Sequence, residues 1–135
     1  IYESLSIKPT EILKSRDYVL VYENEDQIKN IKIDKELFDK KNIDPGGVVI
    51  TAKGNNSDFV SRYFVPQCSF FEDPVTGSTH CSLVPYWSKK LGKQKLTSMQ
   101  LSERGGEMFC IDKGDRVLIN GKAQTYSVGE VFLKN

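Results

Sequence analysis

The stretch that most constrains this chain runs from Glu72 to His80, Glu-Asp-Pro-Val-Thr-Gly-Ser-Thr-His, and feeds directly into the apolar and then cationic run Cys81 to Gly92. Pro74 fixes its own φ and pushes Asp73 toward an extended conformation. Gly77 lets the backbone pass close to a neighbour, and Ser78 and Thr79 are good helix N-caps. Gly92 is a good stop, with Lys89 and Lys90 in the last turn to suit the helix dipole. The pattern predicts a tight loop leading into a helix that ends at Gly92. Pro85 falls inside that helix and removes one hydrogen bond; the alternative is a shorter helix capped by Ser82, with Pro85 in its first turn. A glycine-hydroxyl loop at a helix N-terminus presents unpaired N–H groups that favour a carboxylate or phosphate. Asp73 beside it is a carboxylate that could handle a proton. Taken alone, an Asp in this position is more often a local turn or cap residue than a catalyst.

Size and charge set the class around that loop. A chain of 135 residues, 39% hydrophobic and 27% charged, fits one soluble domain spanning 1–135 with a real core. A net charge of +1 demands no polyanionic partner, so nucleic acid is not expected. No apolar run approaches a membrane span and no signal-peptide pattern opens the chain, so the expectation is a cytoplasmic protein with no membrane partner. Cys68, Cys81 and Cys110 lack CxxC spacing and read as buried reduced thiols; His80 is the single histidine, so no metal site is expected. The chain opens at Ile1 rather than Met, which reads as a piece of a longer polypeptide.

Along the chain, Ser6 to Ser15 reads as a short helix start or turn at Thr10. Asp17 to Glu23 is a strand, Asn24 to Asn30 a loop, and Lys35 to Lys41 a short helix capped by Asp34. Pro45-Gly46-Gly47 breaks the chain before the buried strand Val48 to Ala52. Asp58 to Pro66 alternates with both faces partly apolar, which places it mid-sheet with Arg62 in need of a partner. Thr97 to Ser102, Glu107 to Ile111 and Arg116 to Ile119 read as strands, with a turn or bulge at Arg104-Gly105-Gly106 and another turn at Asp112-Lys113-Gly114. Asn120-Gly121 is a hairpin signal, answered by Ala123 to Tyr126 and followed by a last strand over Val128 to Leu133. The sum is an α+β unit of about seven short strands, one principal helix and two minor ones.

Asp58-Phe59-Val60-Ser61-Arg62-Tyr63-Phe64-Val65-Pro66, then Glu72 through Cys81, Pro85-Tyr86-Trp87, and Gln100-Leu101-Ser102-Glu103-Arg104-Gly105-Gly106 together resemble the PhzF-like isomerase family of phenazine biosynthesis. The resemblance covers most of the chain from about Gly47 onward. It implies one half, the C-terminal one, of a diaminopimelate-epimerase-like fold: a mostly antiparallel sheet rolled around one central helix, buried on all sides, with the active site between two such halves. It also implies cofactor-independent proton transfer within a small carboxylate-bearing substrate. Asp73 matches the family's second acid/base position, and Ser78 matches a substrate-contacting serine. Gly77, Ser78 and Thr79 would offer N–H groups to the substrate carboxylate. The principal acid/base, a glutamate, belongs to the N-terminal half, which is the missing partner, so the chain alone is expected not to turn over substrate.

Other readings stand beside this one. Arg104 either reaches the cleft or pairs with Glu103 or Glu107 at its turn. His80 reads as a buried or capping histidine, and Cys81 as a packing residue rather than a nucleophile. Lys89, Lys90, Lys93 and Lys95 beside Tyr86 and Trp87 could form a basic-aromatic patch, though they cluster at a helix end. A stand-alone, non-catalytic homodimer or ligand-binding module is the alternative function.

Overall fold

Runs of β-branched and aromatic residues build one sheet in the computed structural model, which describes residues 1–40 and 46–133. Its strands are β1 (Glu11–Lys14), β2 (Tyr18–Val21), β3 (Val48–Lys53), β4 (Phe59–Phe64), β5 (Glu72–Asp73), β6 (Lys95–Gln100), β7 (Gly106–Asp112) and β8 (Val117–Gly121). They lie in the order β1-β2-β3-β4-β6-β7-β8, and β5 pairs with the end of β4 beside β6. The β2–β3 and β4–β6 pairs are parallel and the other five antiparallel. Parallel neighbours need crossovers. Helices α1 (Glu25–Asn30) and α2 (Lys35–Asp39) lie in the first, and β5, the Pro74–Thr79 loop and helix α3 (His80–Leu91) form the second.

The two crossovers cover opposite faces of the sheet. Val48, Ile50 and Ala52 of β3, with Val60 and Phe64 of β4, pack with Ile28 of α1 and Phe38 of α2. Val49, Phe59 and Tyr63 point the other way, into a cluster with Leu83, Val84 and Trp87 of α3 and Leu96, Met108 and Cys110. Burial on both faces explains why β3 reads as a near-continuous apolar run. Trp87 stacks on Phe59 with ring centroids 5.9 Å apart and donates its indole N–H to Thr51 Oγ1 at 3.0 Å. The mid-sheet strand expected over Asp58 to Pro66 is β4, and its Arg62 finds Glu72: Nε to Oε1 at 2.7 Å and Nη2 to Oε2 at 2.8 Å.

Helix α3 runs through Pro85 and stops at Gly92, whose φ is 67°. The carbonyl that Pro85 leaves without its usual donor is that of Cys81, in the exposed first turn, so the shorter helix capped by Ser82 is not needed. Buried α3 positions are 80, 83, 84, 87 and 88, a single helical stripe. Cys81 and Lys89 lie off that stripe and are exposed. The expectation that Cys81 packs in the core, and that this chain buries the helix on all sides, is therefore corrected. Of the three thiols only Cys110 is buried.

Four local expectations differ from the structure. The segment read as a loop over Asn24 to Asn30 is α1 with Asn24 as its N-cap: Asn24 accepts the Gln27 amide at 3.0 Å, Gln27 Oε1 accepts the Glu23 amide at 2.9 Å, and Ile28 is wholly buried against the sheet. Glu11–Lys14 is an edge strand rather than a helix start, because its backbone pairs with β2. Asn120-Gly121 is not a turn: both residues sit within β8, opposite Phe109 and Met108, and the reversal lies at Lys113, whose amide donates to the Arg116 carbonyl at 2.9 Å. Ala123 to Leu133 consequently forms neither the expected returning strand nor the last one; it has no regular secondary structure and is exposed. Lys41 and Pro45, read as a helix end and a chain break, lie outside the described residues. Among the described residues no helix is long and apolar enough to cross a membrane.

Candidate active site

The loop between β5 and α3 is held from beneath by β6 and the turn after it. Leu96, Ser98 and Gln100 alternate onto the buried face of β6, and Gln100 is fully buried under the loop. Its Nε2 donates to the Asp73 carbonyl at 2.6 Å and to Thr76 Oγ1 at 3.1 Å, while its Oε1 accepts the Thr76 amide at 2.8 Å. Ser102 Oγ donates to the Pro74 carbonyl at 2.7 Å. Gly105 has a φ of 70°, and a Cβ on Gly106 would stand 2.2 Å from Val75 Cγ2. The two glycines therefore serve different ends: one turns the chain and the other lets it press against the loop.

Asp73 is half-buried, and its Oδ2 accepts the Thr76 hydroxyl at 2.5 Å. Because Gln100 already donates to that hydroxyl oxygen, the Thr76 proton points at the carboxylate. The loop then closes as a turn rather than as a side-chain cap. The amides of His80 and Cys81 donate to the carbonyls of Gly77 and Ser78 at 3.0 and 3.2 Å, and Thr79 makes no side-chain cap bond. Among the described residues, the amides of Gly77, Ser78 and Thr79 find no partner within the chain. Gly77 and Ser78 are exposed and Thr79 is buried.

His80 sits at the base of this arrangement, wholly buried. Its Nδ1 lies 2.8 Å from the Thr76 carbonyl and its Nε2 2.9 Å from Ser98 Oγ. A carbonyl only accepts, so Nδ1 carries the proton and Nε2 accepts the serine hydroxyl. Burial lowers the His80 pKa to about 4, against the opposing effect of its bond to Thr76, so the ring is neutral at pH 7. Its role is to fix the loop.

The sequence-expected residues divide accordingly. Asp73, Gly77, Ser78 and Thr79 share one short loop. Arg104 is exposed, makes no ion pair with Glu103 or Glu107 among the described residues, and lines with Val75, Gly77 and Gly106 a groove of about 550 Å³. Glu107 pairs instead with Lys122 at 2.7 Å.

Residues not singled out beforehand complete the site. They are Gln100 and Ser102, and on the other side Arg16, whose Nη2 donates to Ser78 Oγ at 3.3 Å and to Asp17 Oδ1 at 3.2 Å. Asp17 is buried and also accepts the Tyr63 hydroxyl and the Gly47 amide, each at 2.9 Å. Burial first, and then the bond to Asp17, push the Tyr63 hydroxyl up to about 12. A polar residue in the inward register of β6 was the available signal for Gln100. Arg16, in the β1–β2 turn, carries no such signal.

Another hollow, of about 590 Å³, lies elsewhere, among Asn55, Asp58, Lys93, Lys95, Phe109 and Asn120. Its carboxylate is already engaged: burial alone would raise the Asp58 pKa, but Lys93 at 2.5 Å and the Thr97 amide at 2.7 Å hold it below the ordinary value. The basic-aromatic patch does not form a stacking platform either, since Trp87 is 2% exposed and Tyr86 is tied to Glu11 and Lys90. Among the described residues no three His, Cys, Asp or Glu side chains converge as metal ligands.

The sheet-dominated α+β fold and the sequence match one family. The family described as "Phenazine biosynthesis-like protein" (PhzC-PhzF) matches residues 6–129, and the chain belongs to it. An uncharacterized isomerase of Pseudomonas aeruginosa is 42% identical over 132 residues, covering 97% of this chain and 50% of that protein. A crystal structure of a PhzC/PhzF phenazine biosynthesis protein from Clostridium difficile is similar with a TM-score of 0.83 at 43% identity, covering 94% of this chain and 49% of that one. A PhzF-family structure from Enterococcus faecalis gives 0.85 at 39%, covering 97% and 50%. The chain thus spans about half the length of the relatives it matches.

Proposed function

We propose that this chain is the C-terminal half of a cofactor-independent isomerase, one half of a diaminopimelate-epimerase-like fold with α3 as its central helix. The substrate is a small carboxylate-bearing molecule in which a proton moves from one carbon to another. Asp73 serves as one acid/base group. The free amides of Gly77, Ser78 and Thr79 hold the substrate carboxylate and the charge that develops next to it, and Arg104 lies at the edge of the cleft. Proton removal and return leave the composition of the substrate unchanged, so the reaction needs no oxidant or reductant.

One observation carries this reading: three unpartnered amides stand in the same loop as a carboxylate that Thr76 fixes at 2.5 Å, and that loop is itself clamped by buried Gln100. Such rigid support is what a proton-transfer site requires, because the dipoles must already be aimed when charge develops. The family resemblance assigns the principal acid/base, a glutamate, to the other half, with Asp73 at the second position. The isolated chain is on this reading a half-site and inactive.

The test is deuterium incorporation from D2O into a panel of small carboxylate metabolites, read by mass spectrometry. The native protein purified from its source cells is compared with the 135-residue chain alone. The native protein is expected to label a substrate and the isolated chain to label none. Robust labelling by the isolated chain would overturn the half-site reading, and no labelling by the native protein would overturn the isomerase reading.

A further inference from the structure

The β1–β2 turn, Ser15-Arg16-Asp17, is tied to the start of α3 at two points. Ser15 Oγ and Ser82 Oγ stand 2.8 Å apart, and Arg16 Nη2 donates to Ser78 Oγ at 3.3 Å. The same Nη2 donates to Asp17 Oδ1 at 3.2 Å. That nitrogen carries two hydrogens, one for each acceptor, so the guanidinium is gripped between a buried carboxylate and the candidate site.

The grip is built from below. Asp17 is 3% exposed and also accepts the Tyr63 hydroxyl and the Gly47 amide, each at 2.9 Å. A Cβ on Gly46 would stand 2.6 Å from the Arg16 carbonyl oxygen and 2.8 Å from Asp17 Oδ1, and one on Gly47 would stand 2.7 Å from the Tyr63 hydroxyl oxygen. These two positions are glycine because the chain must pass against Arg16, Asp17 and Tyr63 at such distances. Lys14 Nζ donates to the Arg16 carbonyl at 2.9 Å from the other side. A side chain that is itself 55% exposed is thereby held in place.

Asp17 offsets the Arg16 charge, so what reaches Ser78 is a directed N–H more than a net positive field. An oxygen that accepts from Arg16 turns its own hydrogen elsewhere. Ser78 is exposed, and among the described residues no acceptor within the chain takes that hydrogen. It is left to the surface of the site, beside the amides of Gly77, Ser78 and Thr79.

We propose that Arg16 is a positioning residue: anchored by Asp17, it holds Ser78 so that the Ser78 hydroxyl donates to an oxygen of the substrate carboxylate. The proposal rests on the isomerase reading above and adds one side-chain donor to the three amides. Arg16 itself does not touch substrate. A carboxylate oxygen only accepts, so it suits a hydroxyl whose proton already points outward, and nothing has to reorient as charge develops.

The experiment pairs a rate with a rotamer. The rate is deuterium wash-in from D2O to the carboxylate that the native protein labels, measured for Arg16→Met, Ser78→Ala and the double variant. Each single variant is expected to lower kcat/KM by about 10-fold, the size of one lost hydrogen bond. Adding Arg16→Met to Ser78→Ala should change the rate by less than about twofold, because Arg16 acts through a hydroxyl that is no longer there. Losses that multiply would mean that Arg16 meets substrate itself and would overturn the proposal, as would an undiminished rate in Arg16→Met. Ser15→Ala, which removes only the tie to Ser82, should lower the urea midpoint and leave the rate unchanged. A rate loss in Ser15→Ala equal to that in Arg16→Met would reduce Arg16 to a general support of the turn and overturn the proposal as well.

The rotamer is read from the Ser78 Hα–Hβ couplings of the 135-residue chain, which need no substrate. Couplings of one staggered rotamer are expected in the wild-type chain and averaged ones in Arg16→Met. Averaged couplings in the wild-type chain would overturn the proposal even if Arg16→Met failed to fold. Absence of any labelling by the native protein is a different failure, that of the isomerase reading, and the couplings then decide whether Arg16 holds Ser78.

Discussion

Gln100 and Thr76 form a two-point clamp: Gln100 Oε1 accepts the Thr76 amide at 2.8 Å and Nε2 donates to Thr76 Oγ1 at 3.1 Å. Both residues are buried. The clamp fixes the orientation of the amide and, through the Thr76 hydroxyl, the position of the Asp73 carboxylate. The strap Gln100-Leu101-Ser102-Glu103-Arg104-Gly105-Gly106 and the loop Glu72 to Cys81 are thus two parts of one device. Replacing Gln100 by Leu leaves the buried Thr76 N–H unpaired, at roughly 1–3 kcal/mol. The urea midpoint should fall with an unchanged slope. Gln100→Glu should be at least as damaging, since it sets a carboxylate oxygen against the Asp73 carbonyl.

Gly106 tests the contact between strap and loop. Gly106→Ala places a methyl 2.2 Å from Val75 Cγ2, and overpacking of this kind costs about 1–3 kcal/mol. Val75→Ala removes the obstacle. The double variant should therefore be more stable than the sum of the two single effects, a coupling that thermal or urea unfolding of all four proteins measures.

Arg62 and Glu72 are joined by two hydrogen bonds, with side chains only 17% and 22% exposed. Glu72→Ala leaves a mostly buried guanidinium with only the Ile28 carbonyl, at 3.2 Å, as a remaining acceptor. A loss of about 1–3 kcal/mol is expected. It should change little between low and high salt, because a pair this buried is poorly screened.

His80 sets a pH dependence. Its pKa is lowered by burial to about 4 in the folded chain, from an ordinary 6.5. Between those values the unfolded chain binds a proton that the folded chain refuses, so stability is full above pH 6.5 and declines as pH falls toward 4. The expected loss over that window is about 3 kcal/mol. His80→Asn should flatten the slope of unfolding free energy against pH between 6.5 and 4.5, above the range where carboxylates titrate.

Much of this was legible in the sequence, and the exceptions have physical causes. β3, β4 and α3 carry strong patterns because each buries a full face or stripe, and the Glu72-to-His80 loop announces itself through Pro74 and Gly77. Helix α1 has a single apolar anchor, Ile28, so its periodicity is silent, although Asn24 and Gln27 carried a capping signal. The Asn120-Gly121 signal failed because a turn needs a strand to return to it. Here the answering residues, Ala123 to Tyr126, leave the sheet instead. Cys81 was misread because an apolar residue in an apolar run says nothing about which helix face it occupies. In the candidate site, the Asp73 loop was visible while its support was not, since Gln100 and Arg16 act through contacts 24 and 62 residues away in sequence.

The most direct test of the central claim is the rate of deuterium wash-in to substrate by the native protein carrying Asp73→Asn. The asparagine keeps an acceptor for Thr76 and so preserves the loop, but it cannot exchange a proton. The expected result is a loss on the order of 10²–10⁴-fold with an unchanged urea midpoint. An undiminished rate would contradict the assignment of Asp73 as an acid/base of this family's reaction.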